Sequence, residues 1–328
     1  MADTLTSQVK KAALQAGADL VGIGSMDRFE GAPKESDPRY IFPEAKAIIG
    51  LGFRVHRGLF RGIEEGTFFA AYPSLGYANI NDVHAPLVLR ELGSVVEDLG
   101  YEAMLYSNTS VRLGTNAGRP VRLDLPRPDV FLHFRIAAFI CGLGEIGWSK
   151  VFLTPRFGPR QRFAFVLTDA PLEPDPLYSE PKLCDRCLLC ARDCPVGAIS
   201  TKESVKVTVA GRELEWGKLD TQKCWVGWQA ASPEFNPFLD EELLAAYQQV
   251  RQAPPEEQDA AWGKLGDRMQ KELAYIRKTI ESFHHPAAIC GGRGCMRACM
   301  IHLEESGKLV NAFKHPFRKR PPWKLDIG

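Results

Sequence analysis

The sequence predicts a mixed α/β (α+β) fold in two parts, and three observations carry that expectation. Segments of helical and strand character alternate up to about residue 175, a proline-rich bridge (APLEPDPLYSEP) covers residues 170–181, and eight of the nine cysteines follow it. Residues 1–175 are therefore expected to form an α/β cofactor and substrate domain. Residues 176–328 are expected to form a cysteine-rich domain with a helical insertion at about 201–285. With 41 basic against 40 acidic side chains the net charge is +1, which leaves no broad electrostatic reason to expect nucleic acid or an anionic membrane as partner. No apolar run approaches the length of a membrane-spanning helix, and the first residues lack the apolar core of an export signal. A cysteine-rich chain of that kind is expected in the reducing cytoplasm, where thiols hold metal or do chemistry.

Each element has a local reason. Residues 4–16 read as an amphipathic helix, followed by a short strand at 20–23 and a continuous, buried strand at 45–55 (AKAIIGLGFRV). Residues 85–99 are helical, because Val88, Leu92, Val95, Val96 and Leu99 share one face and Gly100 ends it. Strands follow at 101–106 and 162–168, while 137–141 looks helical. After Cys194, the segment PVGAIS is expected to start a short helix. Residues 204–216 read as a β-hairpin turning near Ala210 and Gly211, and 238–282 as charged helix. The basic, aromatic tail at 311–328 is expected to pack back over the domain.

The cysteines carry the chemistry. Cys184, Cys187, Cys190 and Cys194, followed by Pro195, form the C-x2-C-x2-C-x3-C-P run of bacterial-type ferredoxins. Three thiolates on a tight loop wrap one face of an iron–sulfur cube, and the fourth points away toward a second cube. Cys224, Cys290, Cys295 and Cys299 supply four more thiols, enough for two 4Fe–4S clusters. The expected sets are Cys184, Cys187, Cys190 and Cys299 for one, and Cys194, Cys224, Cys290 and Cys295 for the other. A structural zinc site matches these spacings poorly. A single cluster with the later cysteines inert is the other reading. Cys141 sits in an apolar run and is expected to be packing. Gly142-Leu143-Gly144-Glu145-Ile146-Gly147 has the form G-x-G-x-x-G, but it follows a helical segment rather than the strand that a nicotinamide site requires.

That glycine stretch, with Leu153-Thr154-Pro155-Arg156-Phe157-Gly158-Pro159-Arg160, Leu167-Thr168-Asp169-Ala170-Pro171-Leu172 and the cysteine run, resembles the core of reductive dehalogenases. Epoxyqueuosine reductases share the glycine stretch and the cluster layout. The resemblance implies a nitroreductase-like domain that holds cobalamin without a histidine ligand to cobalt, followed by a two-cluster ferredoxin-like domain. Consistently, Asp82-Val83-His84 has Leu87 where a cobalt-ligating D-x-H-x-x-G motif needs glycine, and His84 reads as a helix-start residue. By the same resemblance, Gly142, Gly144, Gly147, Thr154, Phe157 and Gly158 are expected to contact the cofactor.

Tyr77 occupies the place of the family's proton-donating tyrosine, with Lys150, Arg122 or Arg135 as the cation that stabilises its phenolate. Asp129 roughly matches the aspartate used by epoxyqueuosine reductases, with Asp124 a weaker match. The implied activity is reductive cleavage of a carbon–halogen or other carbon–heteroatom bond in a small-molecule substrate, fed by an external donor of ferredoxin or flavodoxin type. The alternatives are an electron-transfer or activating protein that reduces a partner's corrinoid or redox site, and an epoxyqueuosine-type reaction on transfer RNA with the 314–320 tail as contact.

Overall fold

A computed structural model describes residues 4–115, 117–230, 232–272, 288–318 and 324–325. Helix α1 (Leu5–Ala16) starts where the Thr4 hydroxyl accepts the Ser7 N–H at 3.2 Å, and it stops at Gly17, whose φ of +119° suits glycine. Strands β1 (Leu20–Ser25) and β2 (Ala47–Arg54) follow. Helix α2 (Ala85–Asp98) continues directly from the wide-turned helical segment Ile80–His84, so His84, with helical dihedrals and no capping bond, lies inside a helix and not at its expected start; its Nε2 lies 3.2 Å from the Gly17 carbonyl. Then come β3 (Ala103–Tyr106), α3 (Phe134–Ile140) and β4 (Gln161–Thr168).

The four strands form one sheet in the order β1–β2–β4–β3, every pair antiparallel; Ile49 faces Ile23 on one side and Val166 on the other. Alternation of helices and strands suggests parallel crossovers, but the long excursions between strands return them antiparallel instead. Strand β2 is buried along almost its whole length because both faces of the sheet are covered. On one face Val9, Ala13, Val88, Leu92 and Val96 pack against Ile23, Ile49, Leu51 and Val166. On the other, Phe139, Ile140 and Cys141 cover Ile48, Phe165 and Leu167. A Cβ at Gly50 would lie 2.8 Å from the Cys141 Sγ, so glycine lets the end of α3 settle on the sheet. Cys141 is buried packing.

The cysteine-rich half is not separated from this core. A hairpin of β5 (Ile199–Val209) and β6 (Arg212–Leu219) turns at Ala210 and Gly211, and sends Leu214 and Trp216 into the second face of the sheet. Ile289, Met300 and Phe317 join the first. The helix expected after Cys194 does not form: Ile199 pairs with Leu219 and opens β5 instead. Helices α4 (Thr221–Ala230), α5 (Glu241–Gln252) and α6 (Pro255–Glu272) make a satellite core around Tyr247 and Trp262, and the remainder of the expected 238–282 helical segment lies outside the described residues. The described part of the tail packs back as expected. Arg57 lies 4.1 Å above the Phe313 ring, Arg61 lies 4.3 Å above Phe317, and the buried Arg160 guanidinium donates to Asn311. The rest of the 314–320 segment lies outside the described residues.

Candidate functional site

The first cysteine loop runs from Leu183 into a one-turn helix at Leu189–Arg192, with Arg186 and Leu188 in the left-handed region. This tight winding turns Cys184, Cys187 and Cys190 into one pocket that Cys299 also lines from the start of helix α7 (Cys299–Glu305). Burial, reinforced by Cys184 and Cys187, pushes the Cys190 thiol up to about 11. Burial and the same loop's three thiols push Cys299 well above the ordinary thiol range. Thiols whose ionisation is opposed in this way stay protonated in the free protein, and a bound cation or cluster would supply the positive charge that lets them ionise together.

The glycine stretch fastens this loop. One Glu145 carboxylate oxygen accepts the backbone N–H of Leu183 at 3.0 Å and of Cys184 at 2.6 Å, and the Trp148 N–H donates to the Cys184 Sγ at 3.3 Å. Burial raises the Glu145 pKa, opposed by these two N–H groups. The Trp148 indole reaches over to the Ser200 carbonyl at 2.8 Å, tying the same stretch to the hairpin. N–H groups aimed at a ligating sulfur are a known lever on cluster potential. At the loop's outer edge, Asp185 is held down to about 2: burial works against this, and the His302 and Lys308 hydrogen bonds at 2.8 and 3.1 Å prevail.

The second group assembles from three places. Cys194 leaves the first loop pointing away and accepts the Ala198 N–H at 3.4 Å. Cys224 comes from α4, while Cys290 and Cys295 flank a turn with Gly291 and Gly292 at φ near +57°. The thiol of Cys290 is pushed up to about 12 by burial, then by Cys224 and Cys194. Cys295 is also pushed well above the ordinary thiol range by burial and by Cys290, Cys224, Cys194 and Cys190. The influence of Cys190 on Cys295 shows that the two groups adjoin. A Cβ at Gly294 would come 2.5 Å from the Cys190 carbonyl, so only glycine allows the loops to meet this closely. Beneath them the Arg297–Glu64 pair, at 3.0 Å and with both side chains almost wholly buried, pins the Arg293–Ala298 segment to the body of the fold.

A recess opens beside the second group. Arg135 and Cys224 are solvent-accessible, yet desolvation is the largest influence on both. Side chains that are accessible and still desolvated line a concavity rather than a convex surface. Arg162, Cys295, Cys224 and Tyr77 act on the Arg135 guanidinium. Tyr77 lies in the wide-turned segment Tyr72–Ala78, stacked under the Arg162 guanidinium at 4.0 Å and 5.4 Å from the Trp228 ring. His133 is pulled down to about 4 by burial, then by Arg135 and Lys150, and is neutral at pH 7. Lys150 is lowered by burial and by Arg135.

The expected site residues thus part ways. Tyr77 and Arg135 come together with the second thiol group. Lys150 stands over the Trp216 ring at 5.3 Å, next to Arg135. Arg122 and Asp124 pair with each other on the exposed surface, and the Asp129 carboxylate accepts the Thr115 N–H at 2.9 Å in the same exposed loop. The six residues expected to cradle cobalamin meet the protein's own atoms. A Cβ at Gly142 would lie 2.4 Å from the Pro176 carbonyl, one at Gly144 2.0 Å from the Leu153 carbonyl, and one at Gly147 3.0 Å from the Leu153 side chain. Thr154 and Phe157 are fully buried, the Thr154 hydroxyl being bonded to Gln161 and to the Phe157 N–H, and Gly158 faces Leu303 and Leu309. A corrin does not fit on those six residues.

Glu145 stands inside the glycine motif with no task that its spacing reveals, and Arg162 and Trp228 carry contacts that the sequence pattern does not single out. A cation in the otherwise apolar run RFAFVLT was the available signal for Arg162; nothing local marks Trp228.

No family model matches the chain. It is related in sequence to proteins named tetrachloroethene reductive dehalogenase. The one from Sulfurospirillum multivorans is 27% identical over 247 residues, covering 68% of this chain and 47% of that protein. One from Desulfitobacterium hafniense is 43% identical over 68 residues, covering 20% and 12%. The chain thus spans about half the length of the first of these relatives, and less of the other. Among solved structures, a reductive dehalogenase described as performing B12-dependent dehalogenation shares the fold at a TM-score of 0.50 and 20% identity, over 80% of this chain and 36% of that one. An epoxyqueuosine reductase from Streptococcus thermophilus aligns at 0.42 and 17%, over 63% and 56%.

Proposed function

We propose that this protein is a two-cluster iron–sulfur reductase that cleaves a carbon–halogen or other carbon–heteroatom bond. The observation that carries the reading is the adjacency of two four-thiol groups to a recess holding a tyrosine and two arginines. Each group has the thiolate complement of one 4Fe–4S cluster. The group of Cys184, Cys187, Cys190 and Cys299 would take electrons from an external donor, and the group of Cys194, Cys224, Cys290 and Cys295 would pass them to the recess. The kinship with reductive dehalogenases supports the reaction class.

In a dehalogenation two electrons and one proton enter, the carbon–halogen bond breaks, a carbon–hydrogen bond forms and halide leaves. Tyr77 supplies the proton from its hydroxyl. Arg162 over the ring and Arg135 beside it stabilise the phenolate that remains. Trp228 packs beside the Tyr77 ring at 5.4 Å and fixes where its hydroxyl can point. Cobalamin, implied by the resemblance, has no cradle on Gly142, Gly144, Gly147, Thr154, Phe157 and Gly158.

That closure favours one further reading: the protein delivers its electrons to a corrinoid or other redox centre on a partner. The test is halide release from a haloarene by the anaerobically reconstituted chain with a chemical reductant. Tyr77→Phe should slow release at least tenfold with iron content unchanged. Equal rates would remove Tyr77 from the mechanism, and no release by the unaltered chain would leave the electron-delivery reading.

A further inference from the structure

Tyr77 and the cation above it depend on a third side chain that the reductive reading leaves idle. Asn81 lies in the wide-turned segment Ile80–His84, where the Thr109 hydroxyl donates to its carbonyl at 3.4 Å. Wide turns carry side chains off the regular helical spacing, and this one turns a polar residue inward until it is 2% exposed. Its Oδ1 accepts the Arg162 Nε–H at 3.2 Å, and the Arg162 guanidinium lies 4.0 Å from the centre of the Tyr77 ring. The other half of the amide goes unused: Nδ2 is buried and has no hydrogen-bond partner among the described residues. An unpaired buried amide N–H costs stability, so a leucine of similar volume would suit the packing better. What the amide offers instead is its side-chain bond to Arg162, and that bond orients the guanidinium.

The neutrality of the acceptor matters as much as its place. A carboxylate would hold the same N–H and cancel the guanidinium's charge; an amide oxygen holds it and leaves the charge for the phenol beneath. We infer that Asn81 is a positioning residue, whose amide oxygen fixes the Arg162 guanidinium over Tyr77 without neutralising it. The use made of Tyr77 rests on the reductive reading, whereas the arrangement itself can be tested without turnover.

Meta-fluorotyrosine placed at position 77 of the full chain, reconstituted with iron and sulfide, reports that arrangement through its fluorine resonance. The resonance should be displaced from that of the free amino acid, with a cation at 4.0 Å and the Trp228 ring at 5.4 Å. Asn81→Leu and Arg162→Met should each shift it, and the double variant should shift it no further than Arg162→Met alone. Asn81→Ala replaces the leucine variant if that chain does not fold, as read by its denaturant midpoint. A resonance unmoved by loss of Asn81, or shifts that add in the double variant, would overturn the inference.

Turnover separates the inference from the reading it rests on. In bromide release from bromobenzene with a chemical reductant, Asn81→Leu should lower kcat about tenfold with KM unchanged, and should not slow Tyr77→Phe further. Equal slowing of both backgrounds would make Asn81 a structural residue and contradict the inference, with the reductive reading intact. Asn81→Asp should leave the resonance displaced and still slow release; full activity would refute the need for a neutral acceptor. No release by the unaltered chain removes the reductive reading, and the fluorine shifts then decide the positioning alone.

Discussion

Glu145→Ala is the most informative single change, because Glu145 is the point at which the glycine stretch grips the first cysteine loop. The carboxylate accepts two backbone N–H groups on one oxygen, at 3.0 and 2.6 Å. Hydrogen bonds to a charged acceptor contribute about 1.5–3 kcal/mol each, and here both donors would be left without a protein partner. Taking the low end for each, because the site is only partly buried, the loop loses about 3 kcal/mol of local stability, or roughly a 100-fold increase in the population of its open form. In iron-free protein, amide hydrogen exchange at Leu183 and Cys184 should accelerate by about that factor, while amides in β2 stay unchanged. In reconstituted protein, a chelator should strip the cluster at Cys184, Cys187, Cys190 and Cys299 first. Glu145→Gln keeps an acceptor without its charge and should fall between. Unchanged exchange at both amides in the alanine variant would refute the fastening role.

Three further outcomes follow from the same geometry. Cys187→Ser should lose about half of the bound iron, and full iron content would refute its place in the first set. Glu64→Gln leaves the buried Arg297 charge unpaired and should cost about 3–5 kcal/mol of stability, measured by denaturant midpoint; a change under about 1 kcal/mol would contradict the pairing. His133 is neutral in the folded chain down to about pH 4, whereas the unfolded chain protonates it near its ordinary 6.5. Between those values the unfolded state binds more protons, so stability should rise with pH through that window and level off above it. His133→Asn should flatten the slope, and an unaltered slope would assign the acid sensitivity elsewhere.

Periodicity made most elements of the sheet layer legible. The one-sided apolar spacing of α1 and α2 and the unbroken run of β2 each report burial directly, and those helices and strands stand within a residue or two of where the pattern puts them. Strand pairing was not legible, since the β2–β4 contact at the centre of the sheet joins segments more than a hundred residues apart. The segment after Cys194 shows tertiary override: its local signals suit a helix turn, but Ile199 gains a partner in Leu219 and extends. A resemblance names residues without saying which way they face. Gly142 and Gly144 are needed for close approach, but the approaching group is the protein's own backbone. Arg162 reaches Tyr77 only because β4 sits between β2 and β3, a fact of topology that no local window contains. Trp228 arrives from the insertion between cysteines, where spacing rules are silent.

Metal analysis tests the central claim most directly: iron, sulfide and cobalt counted on one sample of the full chain, reconstituted without oxygen in the presence of cobalamin. Two thiol groups feeding a recess predict about eight irons and eight sulfides per chain. Iron near four, or zinc retained in its place, would contradict the paired-cluster architecture on which the electron path depends. The glycine stretch offers a corrin no cradle, so no cobalt should be retained, and cobalt bound in equal proportion to the chain would contradict that closure.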